Sequence, residues 1–183
     1  MAPAYKVSFV PLLVFVFLII NIHPSKAQNT QQLIEKICRS MEVYGFCKQT
    51  FDENLKSPNA DIVAITQITV ERATDNATKT HDFIRQTLES TTDPAVKSAL
   101  TVCENVYALL MQSFDSAAVS FFQKDYTSVE KNERGTAKAE ASCERILHTP
   151  PNDLTLLDDR NRQMRILIAM AVTSVTELLG TKA

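Results

Sequence analysis

The sequence predicts an all-α protein, a bundle of long helices preceded by a short helical hairpin and tied by two disulfides. Three observations predict it. The chain has only three glycines, Gly45, Gly135 and Gly180. Period-two alternation is almost absent, whereas apolar residues recur at spacings of three and four over long segments. The four cysteines, Cys38, Cys47, Cys103 and Cys143, form an even set of the kind that becomes disulfides in an exported chain.

Export is read from the first residues. Lys6 precedes an uncharged run from Val7 to Ile22, and the small residues Ser25 and Ala27 then supply a cleavage site, the order of a secretory signal peptide. The apolar stretch from Phe9 to Ile20 falls short of the ~20 residues that cross a bilayer. Polar Asn21, His23 and Ser25 follow it at once, so a cleaved peptide at 1–27 is expected rather than an uncleaved anchor. No second apolar run of spanning length is read, and residues 28–183 are expected to form one soluble domain, with the hairpin at 28–57 and the bundle at 58–183. The whole chain carries a net charge of −2, and the loss of Lys6 and Lys26 makes the mature part more acidic. That balance argues against nucleic acid or an anionic membrane as partner.

The hairpin is read as helices at 30–41 and 47–55 that turn at Tyr44-Gly45, with Ser57-Pro58-Asn59 separating it from the bundle. The first long helix runs from Asp61 to Glu89. Its apolar residues cluster at the ends, so its middle either packs closely through Ala73 and Ala77 or is interrupted. The second starts at Asp93-Pro94, an N-cap followed by the residue best tolerated at the first helical position. From there Val96, Leu100, Cys103, Tyr107, Leu110, Phe114, Ala117 and Phe121 alternate steps of four and three, the seam of a helix packed along near-parallel partners. The third runs from Asp125 to Leu147, opened by Asp125 or Thr127 and weakened at Gly135 by about 1 kcal/mol relative to alanine. The fourth, expected to be capped by Asp153, carries Leu157, Asn161, Met164, Ile168, Ala171, Val175 and Leu178 in the same alternation. Asn161 is read as a hydrogen-bonded core polar group that helps set the register.

Four cysteines allow three pairings. Cys38 and Cys47 flank the Gly45 turn, which favours a local bond. Cys103 and Cys143 are equally distant from Gln123, where one long helix ends and the next begins, so in an antiparallel pair they lie level with each other. A metal site is disfavoured, because there is no C-x-x-C and the mature histidines, His81 and His148, are far apart.

No catalytic constellation is legible. Three glycines are too few for a P-loop, a dinucleotide fingerprint or a G-x-S-x-G elbow. His81 and His148 read as surface histidines, and Asp158-Asp159 and the charges between Glu130 and Glu140 read as solvated helix faces. No catalytic residue and no cofactor are expected. Asn76-Ala77-Thr78 is the only N-x-Ser/Thr sequon, which makes Asn76 a candidate glycan acceptor.

The residues resemble the plant invertase and pectin methylesterase inhibitors, and within that family the invertase inhibitors of the pollen-allergen type. The resemblance rests on Leu33-Ile34 and Cys38, eight residues to Cys47, then D-P-A-x-K-x-x-L-x-x-C-x-x-x-Y from Asp93 to Tyr107. Ser116-Ala117-Ala118, Lys124-Asp125-Tyr126 and Cys143 follow at the family's places, so it spans essentially the whole mature chain. It implies an antiparallel up-and-down four-helix bundle behind a helical hairpin, with sequential disulfides. It also implies a secreted inhibitor, in the cell wall or the vacuole, that occludes a pectin methylesterase or an acid invertase with a preformed helical surface and without a cofactor. Invertase-directed members carry a Pro-Lys-Phe tripeptide that is absent here, and the usual Ser-Ala-Ala-Leu run before the fourth cysteine is replaced by the stretch from Gly135 to Glu140. The target enzyme therefore stays open between the two classes. A carrier of a small apolar ligand, suggested by the thin helix middles, and a non-inhibitory structural or signalling bundle are the alternatives.

Overall fold

The structure, a computed structural model, describes residues 29–150, 152 and 154–181. The expected signal peptide at 1–27 and the expected cap Asp153 lie outside the described residues. Among the described residues there are six helices and no strand: α1 (Thr30–Cys38), α2 (Tyr44–Asn54), α3 (Ile62–Ser90), α4 (Pro94–Phe122), α5 (Tyr126–Leu147) and α6 (Asp158–Gly180). The last four form an up-and-down bundle in which α4 packs on α3 and α5, and α6 closes the ring between α5 and α3. The hairpin α1–α2 packs on α3 and α6 and leaves α4 and α5 uncovered.

Each long helix starts where its sequence provides an acceptor, with one exception. Asp61 accepts from the Ala64 amide at 2.8 Å, Asp93 from Ala95 at 2.8 Å and Val96 at 3.2 Å, and Asp125 from Ser128 at 3.1 Å, each satisfying donors that a helix start leaves open. The exception is α6. Its cap is Leu157, which supplies no side-chain bond, and the helix begins five residues after the expected Asp153. The Leu154 amide donates to the Leu147 carbonyl at 3.0 Å, and Leu157 is fully buried, so packing on the end of α5 sets this start.

Two further expectations need correction. Tyr44 and Gly45 are not the hairpin turn but the first turn of α2, and the chain reverses at 39–43. Gly45 does not adopt positive φ, and the Tyr44 hydroxyl donates to Glu35 Oε2 at 2.7 Å, which holds that helical turn against α1. The expectation of no second apolar run also fails, since α6 is long and apolar enough to cross a membrane by length and composition. Arg160, Arg162 and Arg165 at its start disguise the run. Its Met164, Ile168, Ala171, Val175 and Leu178 are buried in the bundle interior.

The seam of α4 is buried from Leu100 to Phe121, and α3 is continuous, with fully buried Ala73 and Ala77 at its thin middle, the close-packed alternative of the two weighed. Between α4 and α5 the turn is tight. Lys124 takes φ 61, and the Asp125 amide reaches back to the Ser120 carbonyl at 2.9 Å, a left-handed helix stop at a residue with a side chain. With the turn at 123–125, Cys103 and Cys143 stand level, their Cα atoms 4.7 Å apart, and are bonded; Cys38 and Cys47, at 5.5 Å, are the second pair. Replacing Cys103 and Cys143 together with serine should lower the unfolding free energy by about 2–5 kcal/mol. Urea unfolding of the oxidised parent and the double variant measures the difference, which should exceed that for the Cys38 and Cys47 pair with its shorter loop.

Candidate functional site

Two features can act chemically or as a binding surface: a polar layer inside the bundle and an apolar face outside it. The inner layer begins at the long disulfide. The Tyr107 hydroxyl of α4 donates to Asn161 Oδ1 of α6 at 2.8 Å, and Asn161 Nδ2 points at Cys143 Sγ of α5 at 3.8 Å. Three helices are thus tied at one level, as expected of a core asparagine. Burial pushes the Tyr107 hydroxyl well above its ordinary pKa, with the nearby Glu140 carboxyl adding to it, so the phenol is a fixed donor.

Below that level the expectation of solvated charges fails. Glu133 is 0% and Glu140 1% exposed. Both oxygens of Glu133 and Oε1 of Glu140 lack a hydrogen-bond partner. Burial raises the Glu133 carboxyl to about 8. Glu140 is raised to about 7 by burial first and then by the charge of Glu144, with Arg165 opposing. The signal was in the sequence: Val129, Glu133, Thr136, Glu140, Cys143 and Leu147 continue the alternation of four and three, and all six are buried. The periodicity was a better guide than the charge. These side chains divide the core into a large cluster containing Cys143 and Leu147 and a small one containing Tyr126 and Val129.

The outer feature lies on α4, on the side that the hairpin leaves bare. Val102, Leu109, Val119 and Phe122 are 39, 57, 55 and 76% exposed. They spread over about 160° of the solvent side of the helix at 3.6 residues per turn, with exposed Thr101, Asn105, Gln112, Asp115 and Ser116 among them. From Ser98 to Gln123 there is no lysine or arginine. A shallow groove beside these residues is lined by His81 of α3 and by both apolar and polar side chains of α4, Ala108, Met111 and Val119 with Gln112, Asp115 and Ser116. Lys131, Arg134 and Lys138 of α5 are exposed, and Arg134 turns toward α6, pairing with Glu130 at 2.7 Å and reaching Thr176 at 3.4 Å. The sequence reading did not find this face, because it tracked only the inward seam.

The remaining candidate residues do not converge. His81 borders the groove, while His148 is paired with Asp158 at 3.0 Å across the α5–α6 connection. Asn76 sits midway along α3, its Nδ2 3.5 Å from Gln163 Oε1. The described residues thus form a helical bundle clamped by two disulfides, with hydrogen-bonded and carboxyl groups buried inside and four large apolar side chains exposed on α4. A family model described as plant invertase/pectin methylesterase inhibitor matches residues 32–176, and the chain belongs to that family of enzyme inhibitors. It is similar to the pectinesterase inhibitor of Actinidia deliciosa, at 26% identity over 177 residues and 95% of each chain. It is also similar to the cell wall / vacuolar inhibitor of fructosidase 2 of Arabidopsis thaliana, at 33% identity over 90 residues, 49% of this chain and 50% of that protein. A crystal structure of a mutant form of a pectin methylesterase inhibitor from Arabidopsis shares the fold, with a TM-score of 0.70 at 15% identity, covering 78% of this chain and 95% of that one.

The inner layer makes a direct prediction. Tyr107→Phe removes the donor from Asn161 Oδ1 and leaves a buried acceptor unsatisfied, which should cost about 1–3 kcal/mol, read from the denaturation midpoint at unchanged slope.

Proposed function

We propose that this chain is a secreted inhibitor of a plant carbohydrate-active enzyme, a pectin methylesterase or an acid invertase, which it blocks by laying the outward face of α4 over the enzyme. It acts by occlusion and is not itself an enzyme. The observation that carries the reading is the run of exposed Val102, Leu109, Val119 and Phe122 on a helix anchored along its other side by a fully packed seam. Apolar side chains held rigid before contact lose little freedom on binding, which is how a modest area becomes a tight complex. Family membership and the names of the two relatives support the choice of target class. The carrier alternative loses its motive, since the core-facing positions in the middles of α3 and α5 are taken by Thr69, Ala73, Ala77, Glu133, Thr136 and Glu140.

The same reading assigns residues 1–27 to a signal peptide, residues 28–183 to one inhibitor domain, and the mature protein to the cell wall or the vacuole, free of membrane and nucleic acid. Asn76 is its candidate glycan site, and the four cysteines are its structural clamps. Mass spectrometry of protein secreted from plant cells should give a mature chain starting at Gln28 and, if the sequon is used, a glycosidase-sensitive increment on the peptide that holds Asn76.

Purified mature protein should be titrated against a pectin methylesterase and an acid invertase. Leu109→Asp puts a charge into the proposed contact and should weaken inhibition at least tenfold, in the range of a central interface residue. Because Leu109 faces outward, the same change should move the unfolding free energy by no more than about 0.5 kcal/mol. Inhibition unaffected by Leu109→Asp and Val119→Asp would remove α4 from the interface. No inhibition of either enzyme class would remove the function.

A further inference from the structure

The two buried carboxyl groups of α5 serve no purpose in a rigid binding scaffold, and a leucine at either place would bury better. Their surroundings suggest a use. Glu133 lies in the bundle wall between α4 and α6, with neither carboxyl oxygen bonded, and the neighbouring Thr136 hydroxyl donates to the Glu133 main-chain carbonyl at 2.6 Å rather than to its carboxyl. Glu140, two turns on, faces a small charged network. Arg165 of α6 stands 3.9 Å from Glu140 Oε1, but its Nη1 donates to Glu144 Oε2 at 2.9 Å and its Nε to Glu42 Oε2 at 3.2 Å. Glu42 belongs to the hairpin turn and also accepts from Arg162 Nε at 3.1 Å. These pairs fasten the turn of the hairpin to the start of α6.

We propose that the bundle is an acid-held fold: Glu133 and Glu140 are carried inside it as neutral carboxylic acids, and their ionisation in neutral medium loosens the middle of α5 and draws Arg165 from Glu42, releasing the hairpin turn. An uncharged carboxyl can be buried at moderate cost, whereas a buried carboxylate without donors cannot be tolerated unless a cation moves to it or water enters. Glu140 has such a cation within reach, and it is one that the hairpin uses. Glu133 has none, so its ionisation has to open the helix.

The groups that act on these acids are few. On Glu140 they are Glu144 of its own helix, Arg165 of α6 and Glu42 of the hairpin turn, while Tyr107 of α4 is a neutral neighbour that its charge would disfavour ionising. On Glu133 burial is the sole cause of the shift. Both folded values lie above the ordinary 4.5, at about 7 and about 8. Between the ordinary value and these the folded state binds more protons than the unfolded one, so stability is full in acid and is lost as pH rises through the folded values.

The test uses the mature, oxidised chain and needs no target enzyme. The melting temperature of the parent should fall between about pH 5 and pH 8, and that of E133Q/E140Q, which cannot ionise at these places, should stay level over the same range. The protection factors of the hairpin amides, exchange rates corrected for the intrinsic rise of hydroxide-catalysed exchange with pH, should fall over that interval in the parent, and E42Q should already show the lower protection in acid. If the double variant does not fold, infrared spectra of the parent decide instead. The carbonyl stretch of a protonated carboxyl should persist at about pH 6, where ordinary carboxyls are ionised, and fade as the hairpin protection falls. A parent whose melting temperature is flat, a double variant with an equal fall, or a spectrum without that band at about pH 6 would overturn the proposal.

Discussion

One level of the bundle governs the rest. At the height of Cys103 and Cys143 a covalent bond joins α4 to α5, and immediately beside it the Tyr107–Asn161 hydrogen bond joins α4 to α6. Apolar seams alone tolerate a slide of one helix along another, since leucine against leucine is nearly equivalent one heptad away. A disulfide and a single buried donor–acceptor pair tolerate none. Once three helices are set in height, the position of α3 follows from its close-packed Ala73 and Ala77, and that of the hairpin follows from α3 and α6.

The weight of burial is shared unevenly. From Val129 to Cys143 the inward face of α5 offers two carboxyl groups and a threonine, and the apolar core is divided there. The buried hydrogen bond between Thr69 and Ser174, at 2.8 Å, shows that α3 and α6 also carry polar groups inside. The apolar surface that α5 lacks is supplied by α4, whose inward seam is buried from Leu100 to Phe121, and by α6, whose composition would suit a membrane helix. The disulfide adds a covalent tie to the long helix whose inward face offers the fewest buried apolar side chains.

Function follows from what this arrangement leaves over. Since the hairpin covers α3 and α6, the outward face of α4 meets solvent as the least charged long surface of the described residues. Its backbone is immobilised from behind by seam residues one position away from those that project outward: Leu110 beside Leu109, Phe121 beside Phe122. Rigidity and exposure therefore come from the same helix. An inhibitor that works by covering its target needs both, because ordering a loose surface on contact would consume the affinity gained.

Much of this was legible in the residues themselves. The cap at Asp93, the cap at Asp125, the seam of α4 and the equal distance of Cys103 and Cys143 from Gln123 are local or periodic properties, which a linear chain records directly. The family could be read from the Asp93-to-Tyr107 block for the same reason. Other features could only be decided by packing. The start of α6 at Asp158, the helical state of Tyr44-Gly45 and the exposure of Leu109 depend on which neighbours arrive from distant parts of the chain. The burial of Glu133 and Glu140 is the clearest case: charge argued for solvent, heptad position argued for the core, and only the closing of α4 and α6 over α5 decided that position prevails, at the expense of keeping two acids neutral.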